Sequence, residues 1–394
     1  LTCAVLTGML AFGISFHWLI RPHMLSYVSA AALICLLATG VPSVIRVRPD
    51  SHAVGRRWLW LAPLVMCFWT NSHGGYLAGM AILMAWLGLD AIDLLIQRDR
   101  RFAATVGHHA LLFAACCAGC LINPYGLELH TWMLSSLGRP RPEISEWAPL
   151  PVLSVAGLPF WIIAFSTLLC RVRSTEPRRW PGFVLLGLLT WQALSHHRHL
   201  PFLAIASSFV LAPHIESLVR QFTSQLAQRT ASHTSATRGD RGRPGRLITA
   251  GVVVLMLAGL QYPRQATLHV DRGFYPVSAL QYMADHRLGG RVLVTFNWAQ
   301  YALASFAHND PQSRIAIDGR FRTCYPQPVI DMYFDFILGE SPDSGRYREA
   351  ASGPFDPRKA LAWKSPDLVL LERQRHPQAT QTMRSTDDWC LLYQ

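Results

Sequence analysis

The chain has 394 residues, 51% of them hydrophobic and only 15% charged, with a formal net charge of +12. Soluble domains carry about 25% charged residues, so this composition excludes a wholly soluble protein, a disordered chain and a small disulfide scaffold. The charge is placed unevenly: residues 1–261 hold 21 Arg, no Lys and 10 acidic residues, whereas residues 262–394 hold 15 basic and 14 acidic residues. The excess sits in the apolar part, which points to a lipid bilayer as partner and away from nucleic acid.

Apolar stretches near the length of about 20 residues that spans a bilayer predict nine spans. They are Leu1–Ile20, Met24–Val44, Trp58–Thr70, Gly75–Ile96, Val106–Ile122, Val152–Cys170, Pro181–Leu194, Pro201–Ile215 and Leu247–Leu260. The first residue is Leu, and Leu1–Ile20 has neither a basic flank nor a cleavage site, so it is not a signal peptide. The expectation is a chain truncated at its N-terminus.

Two interruptions decide the topology: Asn71-Ser72-His73-Gly74-Gly75 and His196-His197-Arg198-His199. Read as hairpin turns, they place the Arg-rich loops 45–57, 97–102, 171–180 and 216–246 on one side, with 17 Arg. Four Arg remain opposite: Arg21, Arg139, Arg141 and Arg198. The positive-inside rule makes the 17-Arg side cytoplasmic. Arg21-Pro22-His23, residues 71–75, the loop 123–150, the turn 196–199 and residues 262–394 then face outward.

This divides the chain into a multi-pass helical membrane domain (1–215), a basic cytoplasmic linker (216–246), a last span (247–261) and an extracytoplasmic α/β domain (262–394). In that last part, helices are expected at Pro276–His286, Ala299–Ala307 and Pro328–Leu338. Strands are expected at Arg291–Phe296, Arg314–Ile317, Asp367–Leu371 and Trp389–Tyr393. Seven of the nine cysteines lie in spans and read as small hydrophobes; Cys324 and Cys390 are free to pair in an oxidising compartment.

The candidate site residues follow from the outward loops. Glu143 and Glu146 are three apart and would share a helix face, as a base for an acceptor hydroxyl or as a solvated edge. Arg198, with His197 or His199, suits a lipid phosphate. Three His also raise a zinc or other divalent metal site, but their spacing is not that of a helical ligand pair. No metal or other cofactor is assigned. Asn71 and His73 either hydrogen-bond a ligand or cap helix ends. Arg21 and His23 read as interfacial anchors or ligand contacts. Asn123 and Tyr125 lie in a turn sequence. Asp318 and Arg320 end a strand, where α/β domains often place ligand groups.

These motifs also resemble, in order, those of a family of uncharacterised bacterial multi-pass membrane proteins grouped with GT-C-type, polyprenyl-phosphate-dependent glycosyltransferases. Arg21-Pro22-His23 resembles its R-P-Q/H, and Trp69–Gly75 its W-x-N-x-H-G-G. Leu121–Gly126 resembles L-x-N-P-Y-G, Ile144–Trp147 resembles I-x-E-W, and Arg198–Pro201 resembles R-H/F-x-P. Asn297-Trp298 resembles the start of N-x-W-G-G-Y, and Ile317–Arg320 resembles I-D-G-R. The chain departs from the pattern at Ala299-Gln300-Tyr301 and at Phe321-Arg322.

The resemblance implies an enzyme of the bacterial inner membrane that moves a sugar from a polyprenyl-phosphate carrier on the outer face. It also implies a catalytic carboxylate in a first outer loop, which here would lie before Leu1. Two rival expectations are a transporter or flippase, for which His17, Asp90, Asp93, His108 and His109 are the polar residues within spans, and a non-catalytic scaffold.

Overall fold

A computed structural model describes residues 1–17, 21–46, 57–231, 270–340 and 346–394. The chain is mostly helical, 67%, and clusters into two units. One is Leu1–Pro140 with Ile144–Ser235, the other Arg141–Glu143 with Ala236–Gln394.

The first unit is built from helices α1 (Thr2–Ile14), α2 (His23–Gly40), α3 (Ala62–Ser72), α4 (Tyr76–Ile96), α5 (Phe102–Leu121) and α6 (Leu127–Leu137). It continues with α7 (Leu158–Arg173), α8 (Trp180–Ser195), α9 (Leu200–Val210) and α10 (Ala212–Ala231). Their apolar residues recur at helical spacing, as Gly79, Ile82, Leu83, Trp86 and Leu87 do along α4, and that stripe is buried. The core holds Leu33, Ile34, Leu37, Met66, Trp69, Leu83 and Trp86 without solvent contact. Large apolar side chains also cover the outside, among them Leu64, Phe68, Met84, Leu95, Leu111, Phe165 and Trp191. An exposed apolar surface of that extent is compatible with a membrane protein.

Among the described residues, α2, α4, α5 and the segment Val155–Arg173 are long and apolar enough to cross a membrane. The pair α9–α10, bent by 57°, would make a fifth crossing. The remaining expected spans map onto shorter helices (α1, α3 and α8), and Leu247–Leu260 lies outside the described residues.

Both interruptions break the helices where polarity breaks the apolar run. At the first, α3 ends at Ser72 and α4 starts at Tyr76. The two fold back so closely that a Cβ on Gly79 would lie 2.3 Å from the Trp69 ring. Only glycine permits that approach.

In the second unit, β1 (Arg291–Val294), β2 (Arg314–Ile315) and β3 (Leu368–Leu370) form a parallel sheet of order β2-β1-β3. Val292 lies opposite Ile315 and Leu368. Helices α11 (Val277–Asp285), α12 (Ala299–Asn309), α13 (Gln327–Leu338), α14 (Lys359–Ala362) and α15 (Pro377–Arg384) accompany it. Leu280, Met283, Val292, Val294, Ala302 and Phe306 make its core.

The expected fourth strand, Trp389–Tyr393, does not form. Successive residues Leu391 and Leu392 are both exposed, so neither face of the run is buried there. Cys324 and Cys390 are both free and exposed, not paired.

Candidate functional site

One end of the helical unit gathers polar groups from five separate segments. There α3 and α8 finish, and α2, α4 and α9 begin. Pro22 starts the turn into α2, placing His23 in its first turn and Ser26 one turn on. At the α3–α4 turn, His73 adopts extended backbone and leaves the helix. At the α8–α9 turn, His197–His199 form one 3₁₀ turn.

The loop 144–150 is tied to this second turn by two backbone hydrogen bonds. His197 N donates to Ala148 O, and Leu150 N to Leu194 O, each at 3.0 Å. That pairing sets Glu146 and Trp147 beside Arg198, whose guanidinium lies 4.5 Å from the Trp147 ring centre. Glu146 Oε1 accepts from Arg21 Nη1 at 3.0 Å. His196 meets the Trp147 ring edge-on, so one face and one edge of that indole are occupied.

His73 has its hydrogen-bonding roles set by its neighbours. The backbone N–H of Gly75 donates to His73 Nδ1 at 3.1 Å. Trp69 Nε1–H donates to Ser26 Oγ at 2.8 Å, and the Ser26 hydroxyl lies 2.7 Å from the same Nδ1. An atom that receives an N–H carries no proton, so Ser26 donates to it and the ring proton resides on Nε2. Burial, helped by the nearby Arg198 and His23, lowers His73 from 6.5 to about 4. At neutral pH this ring is therefore an uncharged Nε2–H donor. Gly75 is needed here, because a Cβ would lie 2.5 Å from Ser26 Oγ.

His23 is fixed the other way. Its Nε2–H donates to the carbonyl of His17 at 3.2 Å, which leaves Nδ1 as the acceptor of the neutral ring. The buried His17 ring packs edge-on to His197, 4.6 Å between centres. The arrangement thus offers a guanidinium, a fixed imidazole donor, a fixed imidazole acceptor and a carboxylate. That set can hold an anionic group and accept a proton beside it.

Of the residues singled out in the sequence, Arg21, His23, His73, Glu146, His197, Arg198 and His199 share this end. Others do not join it. Asn71 Nδ2 donates to Cys67 O (2.8 Å) and Ile122 O (2.7 Å), tying α3 to the end of α5. Asn123 Nδ2 donates to Cys120 O and Gly126 O, and its Oδ1 accepts from Tyr125 N, closing the turn that leaves Tyr125 exposed.

Glu143 and Glu146 do not share a helix face. Ile144 between them adopts extended backbone, and only Ser145–Trp147 coil, as a short 3₁₀ turn. Glu143 belongs to the second unit, where its Oε1 accepts from Tyr347 N at 2.6 Å. Burial raises the Glu143 carboxyl above its usual value, against hydrogen bonding that lowers it.

In the second unit, Asp318 is fully buried and gripped by Arg320 through Nε and Nη2. Burial alone would raise the Asp318 carboxyl; the Arg320 hydrogen bonds outweigh it and keep it low. Trp298 Nε1 donates to Phe274 O at 2.7 Å, a packing role, and Asn297 precedes it in the same 3₁₀ turn. Among the described residues, no group of three His, Cys, Asp or Glu is placed to hold a metal ion.

Ser26 and Trp69 escaped the sequence reading as site members, and His17 figured there only as a polar residue within a span. The signal for Ser26 was its position three residues after His23, on the same face of α2. The opposite end of the unit also buries charge. Asp93 receives Arg179 Nη2, Trp180 Nε1 (2.9 Å) and Gln97 Nε2 (2.8 Å), whereas Asp90 lies beside Ser43 and His109.

No family model matches the chain, and comparisons with curated proteins and with solved structures find no match either.

Proposed function

We propose that the protein is a GT-C-like membrane glycosyltransferase that takes a sugar from a polyprenyl-phosphate carrier on the outer face of a bacterial inner membrane. The observation that supports this reading is the meeting of Arg198, His73, His23 and Glu146 from segments far apart in sequence. In this reading Arg198 and the Nε2–H of His73 hold the carrier phosphate. The acceptor hydroxyl passes its proton to His23 Nδ1 or Glu146 as it attacks the sugar carbon. The carbon–oxygen bond to phosphate breaks with its electrons, and the phosphate leaves as an anion beside Arg198.

The same reading retains the topology drawn from the Arg distribution. The nine-span body carries the polar end outward, and the parallel-sheet unit is an extracytoplasmic α/β domain.

The test is transfer from a radiolabelled polyprenyl-phosphate sugar in membranes holding the full-length protein. Arg198→Ala is expected to lower transfer by roughly 10²–10³-fold while insertion is unchanged. Full activity of the variant removes Arg198 from the site, and vesicle uptake without consumption of the donor replaces the enzyme by a transporter.

A further inference from the structure

The start of α2 carries His23, Ser26 and Tyr27. Ser26 meets Trp69 and His73, whereas Tyr27, the next residue, packs elsewhere. Its ring lies edge-on to that of His23, 5.4 Å between centres, and to that of Phe202 at 5.8 Å. Tyr27 is one helical turn after His23, and Phe202 is four residues after Arg198, in the first turn of α9. Tyr27 therefore stands between the α2 and α9 sides of the polar end.

The residue is only 8% exposed. A tyrosine buried to this extent usually finds a protein partner for its hydroxyl. Here the hydroxyl has no hydrogen-bond partner among the described residues. The charges that act on it are Arg198 and Glu146, and Glu146 Oε1 already accepts from Arg21. The Arg198 guanidinium is likewise without a hydrogen-bond or ion-pair partner among the described residues, and rests on the Trp147 face.

Two unspent donors within electrostatic reach of each other, one of them cationic, do not satisfy one another. An acceptor placed between them satisfies both, and a negative one also matches the charge of the guanidinium. A cation is repelled there, and a neutral hydroxyl leaves the half-buried guanidinium unmatched. We propose that the Tyr27 hydroxyl is a substrate contact, donating to the same phosphate that Arg198 and the Nε2–H of His73 hold. The identity of that anion rests on the glycosyltransferase reading.

The test is binding of citronellyl phosphate, a short isoprenyl monophosphate, to the full-length protein in detergent, read by isothermal titration. Tyr27→Phe keeps the ring against His23 and Phe202 and removes only the oxygen. Without ligand, its Tm should equal that of wild type, because the hydroxyl has no protein partner to lose. Its affinity for citronellyl phosphate is expected to fall about 10–100-fold, while citronellol, which lacks the phosphate, binds both proteins equally. A lower Tm without ligand overturns the proposal, since the hydroxyl then serves the fold. An equal loss of affinity for citronellol overturns it too, by placing Tyr27 against the isoprenyl chain. Unchanged affinity in Tyr27→Phe, with binding abolished in Arg198→Ala, removes Tyr27 alone and leaves the phosphate site standing. If wild type does not bind citronellyl phosphate, or Arg198→Ala binds it as wild type does, the phosphate reading itself fails and the role of Tyr27 falls with it.

Discussion

At one end of the helical unit Asp93 is buried against Arg179, Trp180 and Gln97; at the other, His73 is buried against Ser26 and Gly75. The first end meets its carboxyl group with a guanidinium. The second removes the charge, leaving a neutral ring whose proton position is set by its neighbours. A paired charge holds helices together but has little left to offer a ligand. A neutral, oriented donor next to a half-buried guanidinium is what an incoming anion needs. The contrast separates a buried charge matched by a counter-charge from a buried ring kept neutral and oriented.

The sharpest way to break this comparison is to remove the counter-charge. Arg179→Ala leaves Asp93 buried without its cation, and breaking such a pair costs about 3–5 kcal/mol. The variant should lose most of its folded population in detergent, read as a large fall in Tm or in monodisperse yield. Arg179→Met combined with Asp93→Leu should recover much of it, because an apolar pair of similar volume carries no desolvation cost. If Arg179→Ala is as stable as wild type, the pair is not what holds this end.

A smaller effect is expected at the chemical end. Ser26→Ala removes the hydroxyl between Trp69 and His73 and leaves a buried indole N–H unpaired, at a cost of about 1–3 kcal/mol. Gly75→Ala should produce a similar loss by pushing Ser26 aside. Nitrogen chemical shifts of the His73 ring report the tautomer directly: wild type should show Nε2 protonated, and so should Ser26→Ala, because the Gly75 N–H still holds Nδ1 as an acceptor. A wild-type ring protonated on Nδ1 removes the argument that His73 is a fixed donor.

Much of this architecture was legible in the sequence, for a physical reason. Apolar runs and their helical period report burial in any surroundings, and helix breaks at Asn71–Gly75 and His196–His199 coincide with the loss of that period. What sequence could not show is which polar atoms meet across the fold. Asn71 resembled a ligand group, yet its amide is spent on the carbonyl of Ile122, 51 residues away. His73 Nδ1, held as an acceptor by the Gly75 N–H, meets the hydroxyl of Ser26, 47 residues earlier. Glu143 and Glu146 suggested one helical face, but Ile144 is extended between them and the helical phase is lost. The apolar run Trp389–Tyr393 read as a strand but pairs with none of the described strands.

Acidification tests the same end in a milder way. His73 titrates near 6.5 when unfolded and near 4 when folded, so between those values the unfolded chain binds the extra proton. Stability therefore rises with pH through that window and is lost as pH falls from about 6.5 toward 4. His196, also lowered by burial and by Arg198, adds in the same direction. Tm should drop on going from pH 7 to pH 5, and His73→Asn, which keeps an acceptor toward Ser26 and Gly75, should flatten the slope. An unchanged slope would mean that the ring is charged, or solvated, in the folded state.

The smallest effect on stability belongs to the Arg21–Glu146 pair, with side chains 57% and 33% exposed. Exposed pairs contribute about 0–1 kcal/mol, since water already solvates both charges well. Glu146→Gln should then leave Tm nearly unchanged, and the amide can still accept from Arg21. Its effect on transfer is a separate matter. If Glu146 takes the acceptor's proton, the amide cannot, and the rate should fall by roughly 10²–10⁴-fold. If His23 takes it, Glu146→Gln should be nearly silent, and the loss should appear in His23→Gln instead. Because neither variant is expected to disturb the fold by much, the pair of rates assigns the proton acceptor at this end directly. Loss of folded protein in Glu146→Gln would show instead that the bridge to Arg21 supports the loop that carries Trp147 to Arg198.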